Sequence, residues 1–418
     1  MAQVPVELIS HIVGYLSDDI SSLRATSLVC SRLLEPTQKI LFRKLELQRT
    51  HQYWPVEPGN VPDYKPGSAL LAIFKQSPHL ATYINEIYIR NHYHTTSLFA
   101  SGRTEIPGWL ALDHDLPLAL EFIPVRGVKR VTMEVLSPWN DLPEATQQVL
   151  ANILRSPSLL VLEIKEAPMY LLNLCRPSVL KFKTVLLQDP TIHGPFNGLP
   201  TQPERDSPMC LQAIGIALES SENAFLGFIL DPRNQIGLSG VRLLDYGTTE
   251  EGDGAPVLRS LIKSCAASLR TLAFEAPQAQ TNLDLSRCVS LEELVVRGTL
   301  SDPEYEEIHF AFPLMEALKR IPSSAPLECI NMRIHHASDE PIESEPWIQL
   351  DTFLSLRIAN QFTSLARVVV HVRSPGEIPS DELKSQIEGY LPNLLRLGLL
   401  NVSVIATFDI FDPYPTVL

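Results

Sequence analysis

The chain has 418 residues, of which 45% are hydrophobic and 20% charged, and its formal net charge is −14. That length and composition imply a globular protein with a sizeable core and more than one structural unit. The negative balance argues against general nucleic-acid binding and against an anionic membrane surface, since both need basic groups.

No apolar run is long enough to span a bilayer, and no secretory leader pattern opens the chain. The six cysteines (Cys30, Cys175, Cys210, Cys265, Cys288 and Cys329) are scattered without a C-x-x-C pair. The expectation is reduced, mostly buried thiols in a cytoplasmic or nuclear protein.

The first elements are short helices. Pro5 suits a first helical turn, where its missing N–H is not needed. Val6, Ile9, Ile12, Val13 and Leu16 then recur at helical spacing, with Leu8 beside them. Ser17-Asp18-Asp19 supplies a stop and a new N-cap. A second helix carries Ile20, Leu23 and Leu28. A third carries Leu33 and Leu34 and is expected to bend or restart at Pro36. A fourth short piece holds Ile40, Leu41 and Phe42. A module of about 40 residues rarely buries enough surface to stand alone. These helices therefore either cap a larger core or dock on a partner.

Val4-Pro5-x-Glu7-Leu8, the pair Ile12 and Leu16, Leu23 with Leu28-Val29-Cys30, and Leu41-Phe42-Arg43-Lys44-Leu45 follow one another in an order that resembles the F-box. Two departures are Leu33 or Leu34 where many members carry Trp, and Pro36 inside the third helix. The resemblance covers roughly a tenth of the chain. It implies a non-enzymatic substrate receptor. Val4, Pro5, Leu8, Ile9, Ile12, Leu16, Leu23, Val29, Cys30, Leu33 and Leu41 would be shared between the module's own core and a Skp-type adaptor, which bridges to a cullin-RING ubiquitin ligase. No cofactor, metal, nucleic acid or membrane is implied.

After residue 47 a proline-rich connector runs to about residue 70. From residue 71 to 418 a theme recurs: a helix-like segment, a position rich in Pro, Ser or Cys, then leucine, a spacer and a short apolar strand. Instances lead to Ile87–Ile89, Leu162–Ile164, Leu272–Phe274, Leu294–Val296, Val368–Val370 and Leu397–Leu399, with Cys329–Met332 in a further copy. Strands roughly 22 to 60 residues apart are more irregular than ordinary leucine-rich repeats. The fold class expected is α/β: a short all-α F-box, then a leucine-rich-repeat-like solenoid with a parallel concave sheet. This resembles the divergent repeat region of F-box proteins abundant in fungi. A conventional α/β domain with helices on both faces of a sheet is the other architecture that βα alternation allows.

Chemistry is sparse. There is no G-x-S-x-G, P-loop or G-x-G-x-x-G. His92 and His94 would share one face of a strand and His114 sits between Asp113 and Asp115, so a metal site can be imagined, but spacing fixes no third ligand; His335-His336 ends an expected strand and has no partner in sequence. The acidic stretches 250–253 and 339–345 read as solvated loops. No arginine cluster stands out on any one repeat as a phosphate reader. The target protein is not named by the sequence. An adaptor-bound scaffold acting outside a ligase, or a single α/β protein with a helical cap, are the competing readings.

Overall fold

The computed structural model describes residues 5–48, 64–91, 94–95, 105–106, 108–135, 139, 142–165, 169–183, 209–218, 222–248, 255–275, 283–300, 310–336, 342–374 and 379–405. Two compact units divide the chain, Met1–Ser207 and Pro208–Leu418.

The first unit opens with helices α1 (Val6–Gly14), α2 (Ile20–Ser27) and α3 (Ser31–Leu41). Asp19 caps α2: its carboxylate accepts the Ser22 N–H at 3.0 Å and the Ser21 and Ser22 hydroxyls at 2.6 Å each. Those hydroxyl and amide donors, Ser21 first, lower its pKa to about 2. The restart expected at Pro36 is absent: α3 runs unbroken from Ser31 through Pro36 to Leu41 and absorbs the separate fourth piece. Pro36 and Thr37 are buried in this helix, so packing outweighs the single backbone hydrogen bond that proline forfeits.

Next come β1 (Lys44–Gln48), α4 (Pro66–Gln76), β2 (Glu86–Asn91), a two-residue antiparallel pair β3 (His94–Thr95) and β4 (Glu105–Ile106), α5 (Trp109–Leu112), α6 (Leu116–Leu120), β5 (Arg130–Val135), α7 (Glu144–Leu154), β6 (Val161–Lys165) and β7 (Val179–Lys183). Strands β1, β2, β5, β6 and β7 pair in parallel and in chain order. The module boundary read at residue 47 therefore falls inside the first sheet strand.

The second unit holds β8 (Met209–Cys210), β9 (Ala213–Leu218), α8 (Glu222–Leu230), β10 (Ile236–Gly237), β11 (Leu243–Thr248), α9 (Ala255–Cys265), β12 (Thr271–Glu275), β13 (Glu293–Leu300), α10 (Ala311–Arg320), β14 (Cys329–His336), α11 (Ser344–Asn360), β15 (Arg367–Arg373), α12 (Ser380–Tyr390), α13 (Pro392–Arg396) and β16 (Leu400–Ile405). Strands β8 and β10 form a small parallel pair. The sheet runs β9, β11, β12, β13, β14, β15, β16, again parallel and in chain order.

Both sheets are α/β in class, and in neither does the strand order reverse. Right-handed crossovers between strands added in one direction keep their helices on one side, whereas helices on both faces need a reversal of order. The side chains agree. In the first unit Leu47, Ile89, Met133 and Ile164 stand in register and are buried. In the second, Phe274, Val296, Met332, Val370 and Val402 form the matching buried column. In the first unit the alternate positions carry mostly polar and charged groups that are half-buried or exposed; in the second they mix such groups with Leu243, Ala273, Val295 and Val369, and several, Asp245, Val295, Arg297 and Asn331 among them, are buried.

One hydrogen-bond device recurs at the strand starts. Two successive N–H groups donate to a single carbonyl of the preceding unit: Asn85 and Glu86 to Arg43, Lys129 and Arg130 to Asn85, Arg270 and Thr271 to Arg242, Glu292 and Glu293 to Arg270, and Ala366 and Arg367 to Glu328. The recurring serine has a role as well. The hydroxyls of Ser156, Ser268 and Ser290 reach back to the carbonyls of Val128, Val241 and Ala267 at 2.8–3.0 Å. Each clip satisfies a turn carbonyl that the ladder leaves over.

The strand expected at Leu397–Leu399 is a helix terminus instead. Gly398 takes φ +70°. Its N–H bonds the Leu395 carbonyl at 2.9 Å and the Leu399 N–H bonds the Leu394 carbonyl at 3.1 Å, the Schellman pattern that ends α13. The strand begins one residue later.

Candidate functional site

Helix α1 and the turn that closes it carry two apolar stripes. Ile9, Val13 and Leu16 lie at i, i+4 and i+7 and face inward, Val13 being fully buried and the other two half-buried. Leu8, Ile12 and Tyr15 form a second stripe at the same spacing, turned about a quarter of the helix circumference away. These three are 53%, 60% and 78% exposed. Ile20, Leu28 and Val29, from α2 and the turn after it, are exposed too, Leu28 at 86%. Val6 and Leu34 add to the same set of exposed large apolar residues in the first 34 positions. Isolated exposed apolar residues are ordinary, but this density within three short helices is not.

Of the residues that the F-box resemblance assigns to the adaptor, Val4 lies outside the described residues. Pro5, Leu8, Ile12, Val29 and Cys30 are exposed. Ile9, Leu16, Leu33 and Leu41 are half-buried, available both to the module's core and to a partner. Leu23 is fully buried and belongs to the core side of that division. Tyr15 and Ile20, which lie outside the quoted motif residues, are the additions. Their exposure is a tertiary fact, since helical spacing reports burial without naming the surface that covers it.

The remaining candidates resolve into local structural roles. His92 lies outside the described residues, and His94 is in β3. Asp113 is buried and caps two helices: its carboxylate accepts the Gly67 N–H at 2.7 Å and the Leu116 N–H at 3.1 Å. It is thus turned away from its exposed neighbour His114. Among the described residues no three His, Cys, Asp or Glu side chains are grouped to hold a metal ion. His335 points to the polar face of the sheet. His336 turns to the apolar face, fully buried, with neither ring nitrogen hydrogen-bonded among the described residues. Cys265 and Cys288 are buried, and desolvation pushes both thiols up to about 12. That makes them poor nucleophiles. The stretch 250–253 lies outside the described residues, whereas Glu343 to Glu345 enter α11.

The polar faces of the two sheets differ in charge. In the first unit, acid and base alternate across strands: Arg90 and Tyr88 both reach Glu134, each at 3.2 Å. Burial, then the Glu134 charge, pushes the Tyr88 phenol up. In the second unit, Arg297 pairs with Asp245 inside the face, and both are buried. Beyond that pair, Arg333 and His335 on β14 stand in register with His371 and Arg373 on β15. His371 Nδ1 is hydrogen-bonded to Ser403 Oγ of β16 at 2.5 Å. Burial, then Arg333, lowers the His371 pKa, and burial, then Arg373 and His336, lowers that of His335. This basic block is invisible in sequence because no single repeat contains it; strand register assembles it.

The chain matches no protein-family model, no curated protein and no solved structure.

Proposed function

We propose that this chain is the substrate-recognition subunit of an SCF-type ubiquitin ligase. In this reading α1–α3 dock a Skp-type adaptor, and the parallel-sheet units hold a target protein near the ligase's ubiquitin-loaded enzyme. The observation that carries the reading is the second stripe of α1, Leu8, Ile12 and Tyr15, exposed together with Ile20, Leu28 and Val29. Three of these six, Leu8, Ile12 and Val29, are among the residues that the F-box resemblance assigns to the adaptor. Burying such residues in a partner yields roughly 25 cal/mol per Å² before the costs of association.

The repeated strand starts, the serine clips and the strands added in chain order support reading each compact unit as leucine-rich-repeat-like solenoid structure. Solenoids offer one long polar sheet face for recognition while the helical side closes the core. The contribution to ubiquitin transfer is then effective concentration, with no bond chemistry by this chain's own side chains.

Co-expression with a Skp-type adaptor, followed by size-exclusion chromatography, tests the reading. Co-elution of the full chain, with loss of co-elution when the exposed stripe of α1 is charged, is the expected result. A well-behaved monomer that ignores the adaptor would leave α1–α3 as a cap on the first sheet. Adaptor binding without cullin-dependent turnover of any bound protein would point to a scaffold outside a ligase.

A further inference from the structure

We infer that the open edge of β16 is an interface between two copies of this chain, the strand pairing antiparallel with its own counterpart about Val402. The inference goes beyond the receptor reading and uses none of the residues that carry it.

The first argument is the main chain. β16 ends the order of strands, and its ladder is to β15. The Val368 N–H donates to the Leu399 carbonyl and the Ser374 N–H to the Ile405 carbonyl. In a parallel pair this register turns the polar groups of Asn401, Ser403 and Ile405 toward β15. The N–H and C=O groups of Leu400, Val402 and Val404 point the other way, and among the described residues none of them is hydrogen-bonded. Edge strands are ordinarily guarded against pairing by charge, proline, a bulge or brevity. β1, at the other end of the order, carries Lys44 and Glu46. β16 pairs with β15 along its whole length without a bulge, and its sequence Leu-Asn-Val-Ser-Val-Ile holds no charge and no proline.

The second argument selects the occupant. An antiparallel pair centred on Val402 sets Val402 opposite its own counterpart, Leu400 opposite Val404, and Asn401 opposite Ser403. Apolar meets apolar on the helical face, where Val402 is buried and α12 packs against β16. An amide meets a hydroxyl on the other face. Every outward N–H and C=O of the strand is then used, in about six main-chain hydrogen bonds. The strand is its own complement, which a two-fold interface requires. Leu395 and Leu397, which lead into the strand, and Ile405, which ends it, are each about half exposed. The absence of charge matters for this partner in particular. Each copy has a net charge of −14, so two copies repel at long range and can meet only where the contact itself is neutral. Joined this way, two receptor chains would hold a target with two binding sites by avidity.

Sedimentation velocity over a concentration series tests this on the full chain and on its Leu8→Asp/Ile12→Asp variant, in which association through the exposed stripe of α1 is removed. A monomer–dimer equilibrium is expected in both, and it should tighten as salt is raised, because screening relieves the repulsion between two anionic copies. Val404→Pro deletes an outward N–H and none that bonds β15. It should weaken dimerisation about 10-fold or more while the circular dichroism spectrum is unchanged. If that variant unfolds, Val404→Lys, which puts a charge on the edge, carries the test with the same expected loss. The double variant Asn401→Cys/Ser403→Cys should give a covalent dimer under mild oxidation, since those positions face each other across the two copies at about 4.5 Å between Cα atoms. The parent chain, with its own exposed Cys30 and Cys210, is the control. A monomer at every concentration, indifference of the dimer to both edge variants, growth beyond the dimer in the α1 variant, or weakening by salt would each overturn the inference. Loss of adaptor binding with the dimer intact would instead count against the receptor reading.

Discussion

Leu8→Asp combined with Ile12→Asp separates docking from folding. Fully burying a leucine or isoleucine contributes roughly 1.5–3 kcal/mol. Leu8 and Ile12 are still 53% and 60% exposed, so about half of that remains for a partner, or roughly 2–3 kcal/mol for the two together. The substitution also places two carboxylates in an apolar interface at several kcal/mol each. A loss of about 5 kcal/mol or more corresponds to adaptor binding weakened by more than roughly 1,000-fold. In the free chain both positions face water, so folding stability should change by less than about 1 kcal/mol. Leu23→Ala is the counterpart: Leu23 is buried, and its truncation should lower stability by about 2–5 kcal/mol. Isothermal titration with a Skp-type adaptor and urea unfolding of each variant give the two readouts. Adaptor binding by the double variant within 10-fold of the parent, or unfolding of that variant under native conditions, would refute the reasoning.

Other substitutions probe how the fold is held. Asp351→Ala should cost about 2 kcal/mol or more in urea unfolding, since the buried carboxylate accepts the Asn393 and Leu394 N–H groups at 3.0 and 2.9 Å where α13 begins. Asp245→Asn should cost about 3–5 kcal/mol, because it leaves the Arg297 guanidinium charged inside the sheet face. Gly67→Ala should cost about 1–3 kcal/mol, read as a drop in melting temperature. A Cβ at that position would come within 2.3 Å of the Leu116 backbone nitrogen, which cannot yield as a side-chain tip can. For pH, His335 and His371 have folded pKa values below the ordinary imidazole value of about 6.5. The unfolded chain thus takes up protons first, and stability should fall as pH drops below about 6.5, with no contribution from these groups at higher pH. The combined variant His335→Gln and His371→Gln should flatten that loss in denaturation curves taken at pH 7.5 and 5.5; an unchanged slope would show that other groups govern it.

Parts of this fold were legible in the sequence for identifiable reasons. Asp19 was readable as an N-cap, and the apolar triplets at Ile87, Leu162, Leu272, Leu294 and Val368 were readable as strands, because buried parallel strands concentrate aliphatic residues in short runs. Strand β5 escaped because Arg130-Val-Thr-Met-Glu-Val alternates and lacks the lead-in of Pro, Ser or Cys followed by leucine. The continuity of α3 through Pro36 depended on packing that no local rule contains. Gly398 ended a helix where the leucines around it suggested a strand. The exposed stripe of α1 was half-legible: the spacing marked all of Leu8, Ile9, Ile12, Val13 and Leu16 as apolar, but which stripe the protein covers itself is decided by α3.

The basic block shows why the charge of a sheet face in this architecture is hard to read from one repeat. Alternate residues of a strand serve opposite faces. On β14 and β15, Ile334 and Val372 pack in the core, and their neighbours Arg333, His335, His371 and Arg373 lie half-buried on the opposite face. A change of polar residue therefore leaves the buried column intact, and register carries it beside whatever the next strand presents. The apolar columns must stay similar from strand to strand to stack, which is why they leave a trace in the sequence. The polar positions are under no such demand, so charge can balance in one unit and accumulate in the other without cost to the core.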